Sequence, residues 1–145
     1  MVEHLYNERI LALAEALNKD DRLEGADGSA TLSSPICGSR IKVDVKMNGD
    51  VVCAYGQQVR ACALGQSAAA IMARHVVGQS KSQLCQLRDE MQAMLKEDGD
   101  IPAGHWGELE VLNPAKGYKS RHASIMLPFN AVVKAIEEAE SKTNA

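Results

Sequence analysis

Apolar residues recur at helical intervals from the start of the chain: Leu5, Ile10, Leu11, Leu13, Ala14 and Leu17, with Glu3, Glu8, Arg9 and Glu15 among them. This spacing predicts an amphipathic helix over about 1–19, closing near Asn18. After a turn-rich stretch over 20–28 the period changes to two. Ala30-Thr31-Leu32 opens it, and Ile41, Val43 and Val45 then alternate with Lys42, Asp44 and Lys46, as in a strand with one apolar and one polar face. Asn48-Gly49-Asp50 is a hairpin signal, so 51–59 is expected to run back antiparallel to 40–47. Three antiparallel strands are expected within 30–59.

From Ala61 the period becomes helical again. Ala63, Ala69, Ala70, Ile71, Ala73, Val76 and Val77 predict a largely apolar helix that stops at Gly78. Gly65, Ala69 and Ala73 fall four apart, a stripe of small residues suited to close packing. Ser80 is expected to cap a second helix over 81–97, with Leu84, Leu87, Met91, Met94 and Leu95 inward. A short segment over 106–112 and a loop over 113–117 lead to a final helix over 120–140, which Pro128 is expected to bend. The order is helix, strands, then helices. It predicts an α+β fold in one domain, 1–145, with an N-terminal helix at 1–19, a sheet at 30–59 and a helical part at 61–140.

Length agrees with one domain, since a chain of 145 residues buries roughly 68% of its unfolded surface. Formal net charge is -3 and charged residues make up 24%, which offers no field for nucleic acid or an anionic membrane. Residues 1–19 are too charged for a signal peptide or a membrane span. A soluble, cytoplasmic protein is expected.

The four cysteines, Cys37, Cys53, Cys62 and Cys85, are too few and too irregular for a disulfide framework, so they are expected to be free thiols or ligands. There is no Cys-x-x-Cys, and any metal site must be assembled by the fold. Cys37 sits in the loop Pro35-Ile36-Cys37-Gly38. Cys62 heads a helix, where the macrodipole and unpaired amides favour a thiolate. Both positions suit ligation, and both also suit a small buried hydrophobe. Cys53, within a strand, and Cys85, beside Leu84 and Leu87, read as small core residues. His122, in the first turn of the last helix, is either a third ligand or a solvated surface histidine. Cys, Cys and His are ligands for zinc or iron; Cys62 with His122 would alternatively make a nucleophile and base. His4, His75 and His105 have no recognisable partners.

Taken together, Pro35-Ile36-Cys37-Gly38 before a strand, the hairpin, Cys62 leading a small-residue helix, and His122-Ala123-Ser124-Ile125 resemble the NifU/IscU family. These are scaffolds on which iron-sulfur clusters are built. The resemblance spans about 30–140 and implies the same α+β fold. In such scaffolds three cysteines, with an aspartate and sometimes a histidine, surround an exposed cluster or zinc site. Cys37 and Cys62 match the first two cysteines, and His122 matches the histidine before the third. Ala123 stands in the third cysteine's place and Ser39 in the aspartate's. The resemblance implies a non-enzymatic scaffold that holds iron or an iron-sulfur cluster transiently through Cys37, Cys62 and His122, with zinc as another metal these ligands suit. It implies a cysteine desulfurase or other sulfur donor and recipient apo-proteins as partners. Since a cluster usually wants four donors, a homodimer sharing one through two cysteines from each chain is a further expectation. A cluster-free adaptor and a Cys/His thiol enzyme are the alternatives.

Overall fold

A four-stranded antiparallel sheet lies at the centre of the chain, with helices packed against it. The computed structural model describes residues 7–35 and 38–143. In chain order these form α1 (Glu8–Ala16), β1 (Asp20–Asp21), β2 (Gly28–Ser33), β3 (Arg40–Asn48), β4 (Val51–Arg60), α2 (Ala63–His75) and α3 (Lys81–Lys96). A run of 3-10 turns (Gly104–Gly117), one more 3-10 turn (Lys119–Arg121) and α4 (His122–Thr143) complete the chain. The sheet order is β1-β4-β3-β2. The α+β expectation stands, with one strand more than the pattern predicted.

That extra strand is two aspartates, Asp20 and Asp21, paired antiparallel with Gln58 and Gln57 of β4. It has no apolar alternation to announce it. Its polar pairing includes Gln58 Nε2 donating to Asp20 Oδ1 at 3.2 Å. The β3–β4 hairpin is antiparallel as expected, paired from Arg40 opposite Arg60 to Asn48 opposite Val51. Its loop is Gly49-Asp50, and only Gly49 takes a positive φ, 66°, the type II′ pattern whose backbone twist suits a two-residue hairpin.

The polar face predicted for β3 is only partly solvated. Asp44 is completely buried, because the chain from Arg22 to Leu23 folds over it. Arg22 Nη2 donates to its carboxylate at 2.9 Å, the Leu23 amide at 3.2 Å, and the Ser29 hydroxyl at 2.6 Å. Gly56, opposite Asp44 on β4, permits this crossing, since a Cβ there would lie 2.6 Å from the Asp21 carbonyl oxygen.

Helix α1 is capped by Asn7, whose side chain accepts from the Ile10 amide at 3.1 Å. It buries Ile10, Leu13 and Ala14 and ends at Ala16, two residues before the expected Asn18; Leu11 faces outward. Residues 1–6 of the predicted helix lie outside the described residues. Ser80 caps α3 as expected, in a reciprocal pair with Gln83. The segment and loop predicted over 106–117 are instead continuous 3-10 turns, which bury Trp106, Leu109, Val111, Leu112 and Ala115. Helix α4 runs unbroken through Pro128, whose missing N–H leaves the Ser124 carbonyl without its i+4 donor. Among the described residues no helix is long and apolar enough to cross a membrane.

Candidate functional site

Three chain segments meet at one end of the sheet: the β2–β3 loop, the head of α2 and the first turn of α4. Cys62 is the residue before α2, with extended backbone (φ -67°, ψ 170°) and no capping bond from its side chain. The Gln66 amide donates to the Cys62 carbonyl at 2.9 Å, closing the helix's first turn behind it. The thiol is half-buried. Its sulfur lies 3.6 Å from the Ser124 hydroxyl oxygen, and Ser124 in turn donates to the Ser39 hydroxyl at 3.0 Å.

Both serines are buried, Ser124 to 1% exposure and Ser39 to 3%. Ser39 is held by its loop: the Ser34 amide donates to the Ser39 carbonyl at 2.7 Å, and the Gly38 amide to the Ser34 carbonyl at 3.0 Å. Gly38 takes φ 72°, where a glycine is favoured. Ser124 reaches the site because α2 carries Gly65 beside it; a Cβ on Gly65 would lie 2.5 Å from the Ser124 hydroxyl oxygen and 2.8 Å from the Ala61 Cβ. The small-residue stripe thus begins with a glycine that makes room for the site.

Of the expected site residues, Cys37 lies outside the described residues, Cys62 is in the cluster just described, and His122 is at its border. His122 is buried, 4% exposed, not a solvated surface histidine. Its Nε2 lies 3.0 Å from the Ala115 carbonyl oxygen in the 3-10 run. A carbonyl can only accept, so Nε2 carries a hydrogen, and in the neutral ring the lone pair is then on Nδ1. Residues two apart on a helix do not share a face, and His122 and Ser124 accordingly take different partners. Cys62 meets a hydroxyl, not the imidazole. Ala123, between them, is half-buried. Among the described residues no three histidine, cysteine or acidic side chains are grouped to hold a metal ion.

The other thiols differ from expectation in part. Cys85 is half-buried against the core. Cys53 is exposed, because it is the residue skipped where the register shifts between Lys46 and Met47, and the bulge turns it outward. His75 and His105, for which the sequence offered no partners, have them: their rings stack at 5.9 Å, and His75 meets Trp106 edge-on at 5.5 Å. Glu108 joins them, receiving Arg74 and lying 3.2 Å from His75 Nε2. Ser39, Ser124 and Gly65 meet around Cys62 without any spacing in the sequence that announces it.

The whole architecture recurs among solved structures. The N-terminal part of a nitrogen-fixing NifU-like protein from Brucella abortus is 40% identical, with a TM-score of 0.93 over 97% of this chain and 98% of that one. A protein described as an iron-sulfur cluster assembly scaffold for the SUF system, from Fervidobacterium islandicum, has a TM-score of 0.84 at 17% identity, covering 93% of this chain and 98% of its own. A hypothetical protein matches at 0.82 with 24% identity over the same shares. These two likenesses are of fold. No protein-family model and no curated protein matches the chain.

Proposed function

This chain belongs to the NifU-like N-terminal domain family, the NifU/IscU type of iron-sulfur scaffold, and we propose that it carries iron or an iron-sulfur cluster transiently through Cys37, Cys62 and His122. What supports the reading above all is the 40% identity that runs through nearly all of both chains. The local geometry agrees with it. Cys62 offers a half-exposed sulfur at a helix head, and His122 keeps Nδ1 for a metal while Nε2 donates to a backbone carbonyl, the usual second contact of a ligating histidine. The protein acts as a platform, not a catalyst. A cysteine desulfurase or other sulfur donor loads it in the cytoplasm, and recipient apo-proteins unload it.

Donor chemistry limits how the cargo is held. Ala123 has no donor atom, and Ser39 is a neutral hydroxyl where the family has a carboxylate. Cys37, Cys62 and His122 suffice for zinc with water in the fourth position. A cluster with four protein donors needs two chains, each giving two cysteines. Ala123 and Ser39 also favour a second reading, an adaptor of this fold that carries no cluster.

Anaerobic reconstitution with ferrous iron and sulfide separates the two. The expected result is a sulfide-containing chromophore in the dimer fraction, absent from a Cys37→Ala, Cys62→Ala double variant. Equal iron and acid-labile sulfide in both proteins, or none in any fraction, would leave the adaptor.

A further inference from the structure

We propose that Ser124 is a positioning residue for Cys62, and that with Ser39 behind it a buried chain of two hydroxyls fixes the direction in which the sulfur presents itself. The proposal deepens the reading of Cys62 as a ligand and rests on it for its functional consequence.

A thiol at a helix head has no intrinsic reason to hold one rotamer. Cys62 makes no capping bond, and among the described residues the polar group its sulfur meets is the Ser124 hydroxyl at 3.6 Å. That hydroxyl is not there for solvent, since Ser124 is 1% exposed, and burying a hydroxyl is unfavourable unless it is hydrogen-bonded. Nor does it turn back on its own helix, as serines in helices commonly do. Ser67 shows that alternative in the same molecule: its hydroxyl contacts the Ala63 carbonyl four residues back at 2.7 Å and the Ile10 carbonyl at 2.9 Å. Ser124 instead reaches across 85 residues of sequence to Ser39.

The protons order the chain. Each hydroxyl has one hydrogen. With the Ser124 hydrogen given to Ser39, a protonated Cys62 is the donor in the contact between them. This aims S–H inward at the Ser124 oxygen and leaves the sulfur lone pairs toward the exposed side. When the sulfur binds a metal, its proton leaves to solvent, and the Ser124 hydroxyl can rotate to donate to the bound thiolate. Hydrogen bonds of this kind orient and tune metal ligands. Gly65 completes the device, because any Cβ at that position would enter the space of the Ser124 oxygen. Where the family has a charged aspartate and a third thiol, this chain has neutral Ser39 and Ala123; the hydroxyl pair holds in place one of the two sulfurs that remain.

Two measurements on the full chain test this. The first reads three-bond couplings across the Cys62 Cα–Cβ bond by NMR in metal-free protein. The expected couplings are those of a single rotamer in the natural protein, averaged in Ser124→Ala, and single again in Ser124→Thr, which restores the hydroxyl. Single-rotamer couplings persisting in a folded Ser124→Ala protein would overturn the proposal. Should that variant not fold, Ser39→Ala gives the same decision, with averaging expected and an unchanged rotamer overturning the chain. The second follows cobalt(II) by its thiolate charge-transfer band. Ser124→Ala should weaken binding by about 10–100-fold, as loss of an outer partner does at metal sites, and an unchanged Kd would overturn the proposal. Cobalt binding that is equal in Cys62→Ala would overturn the ligand reading instead, with the rotamer measurement still deciding the anchor.

Discussion

Two buried polar clusters in this molecule solve opposite problems. Around Asp44, a carboxylate with no exposure receives Arg22, the Ser29 hydroxyl and the Leu23 amide. Around Cys62, the sulfur meets Ser124 at 3.6 Å and, through it, Ser39 at 3.0 Å. The first is a charged pair, saturated and short-bonded; the second is a sulfur and two hydroxyls, long at its sulfur end and half-open. A group that only has to stay folded is best fully satisfied, because each unmet hydrogen bond of a buried charge is destabilising. A ligand that exchanges cargo is better anchored on one side and left available on the other.

The largest effect should come from breaking the charged cluster. Asp44→Ala removes one partner of a buried pair, which ordinarily costs 3–5 kcal/mol; Arg22 is about a third exposed and can be resolvated, so about 3 kcal/mol is expected by denaturant unfolding. Cobalt affinity of the folded fraction should not change. The pH dependence sharpens the point. Burial alone would push the Asp44 carboxyl up, but its bonds to Arg22, Ser29 and Leu23 outweigh that and hold it below the ordinary 3.8. A depressed carboxylate contributes stability above its unfolded value and loses it as pH falls through the folded one. The stability advantage of the natural protein over Asp44→Asn should therefore be full at neutral pH and shrink below 3.8. An advantage independent of pH would mean that the charge is not what stabilises the cluster.

The same contrast explains what could be read in the sequence. The hairpin was legible because Ile41, Val43 and Val45 alternate up to an Asn-Gly turn, and both are local signals. The burial of Asp44 was not, since alternation assigns it to the polar face and only a crossing by Arg22 and Leu23 covers it. Strand β1 escaped because two aspartates have no apolar period. At the site, Cys62 stood out because it heads a small-residue helix. His122 could be named but not placed: its partner Ala115 lies in 3-10 turns, which lack a strong periodic signature, so a buried ring read equally well as a solvated one. The Ser39–Ser124 pair had no signal at all, because a hydroxyl finding another hydroxyl 85 residues away leaves no spacing to recognise. Cys37 lies outside the described residues, and its place in the site rests on the family resemblance.

Gly65→Ala should move the two clusters in the reverse sense to Asp44→Ala. Overpacking costs about 1–3 kcal/mol, and exchanging glycine for alanine in a helix returns about 0.5–1 kcal/mol. The net loss of stability should be roughly 1 kcal/mol. The new Cβ, however, would stand 2.5 Å from the Ser124 oxygen, so the hydroxyl must leave Cys62. Cobalt affinity should then fall by about 10-fold or more in a protein that unfolds almost normally. If stability falls by about 3 kcal/mol, as for Asp44→Ala, with affinity retained, Gly65 serves packing and the distinction between the clusters fails.

The smallest effect belongs to a cysteine in neither cluster. Cys53 is exposed at the bulge of β4, with little apolar area to lose. Cys53→Ser should change stability by no more than about 0.5 kcal/mol and leave cobalt binding unaltered. Residue-resolved alkylation followed by mass spectrometry should modify Cys53 before half-buried Cys85 in the folded protein, because access limits a thiol's reaction as much as its chemistry does. A fall in cobalt affinity in Cys53→Ser would mean that this thiol also takes part in binding. It would then no longer be position on the fold, anchored against a buried hydroxyl or turned out by a bulge, that separates a ligand cysteine from an incidental one.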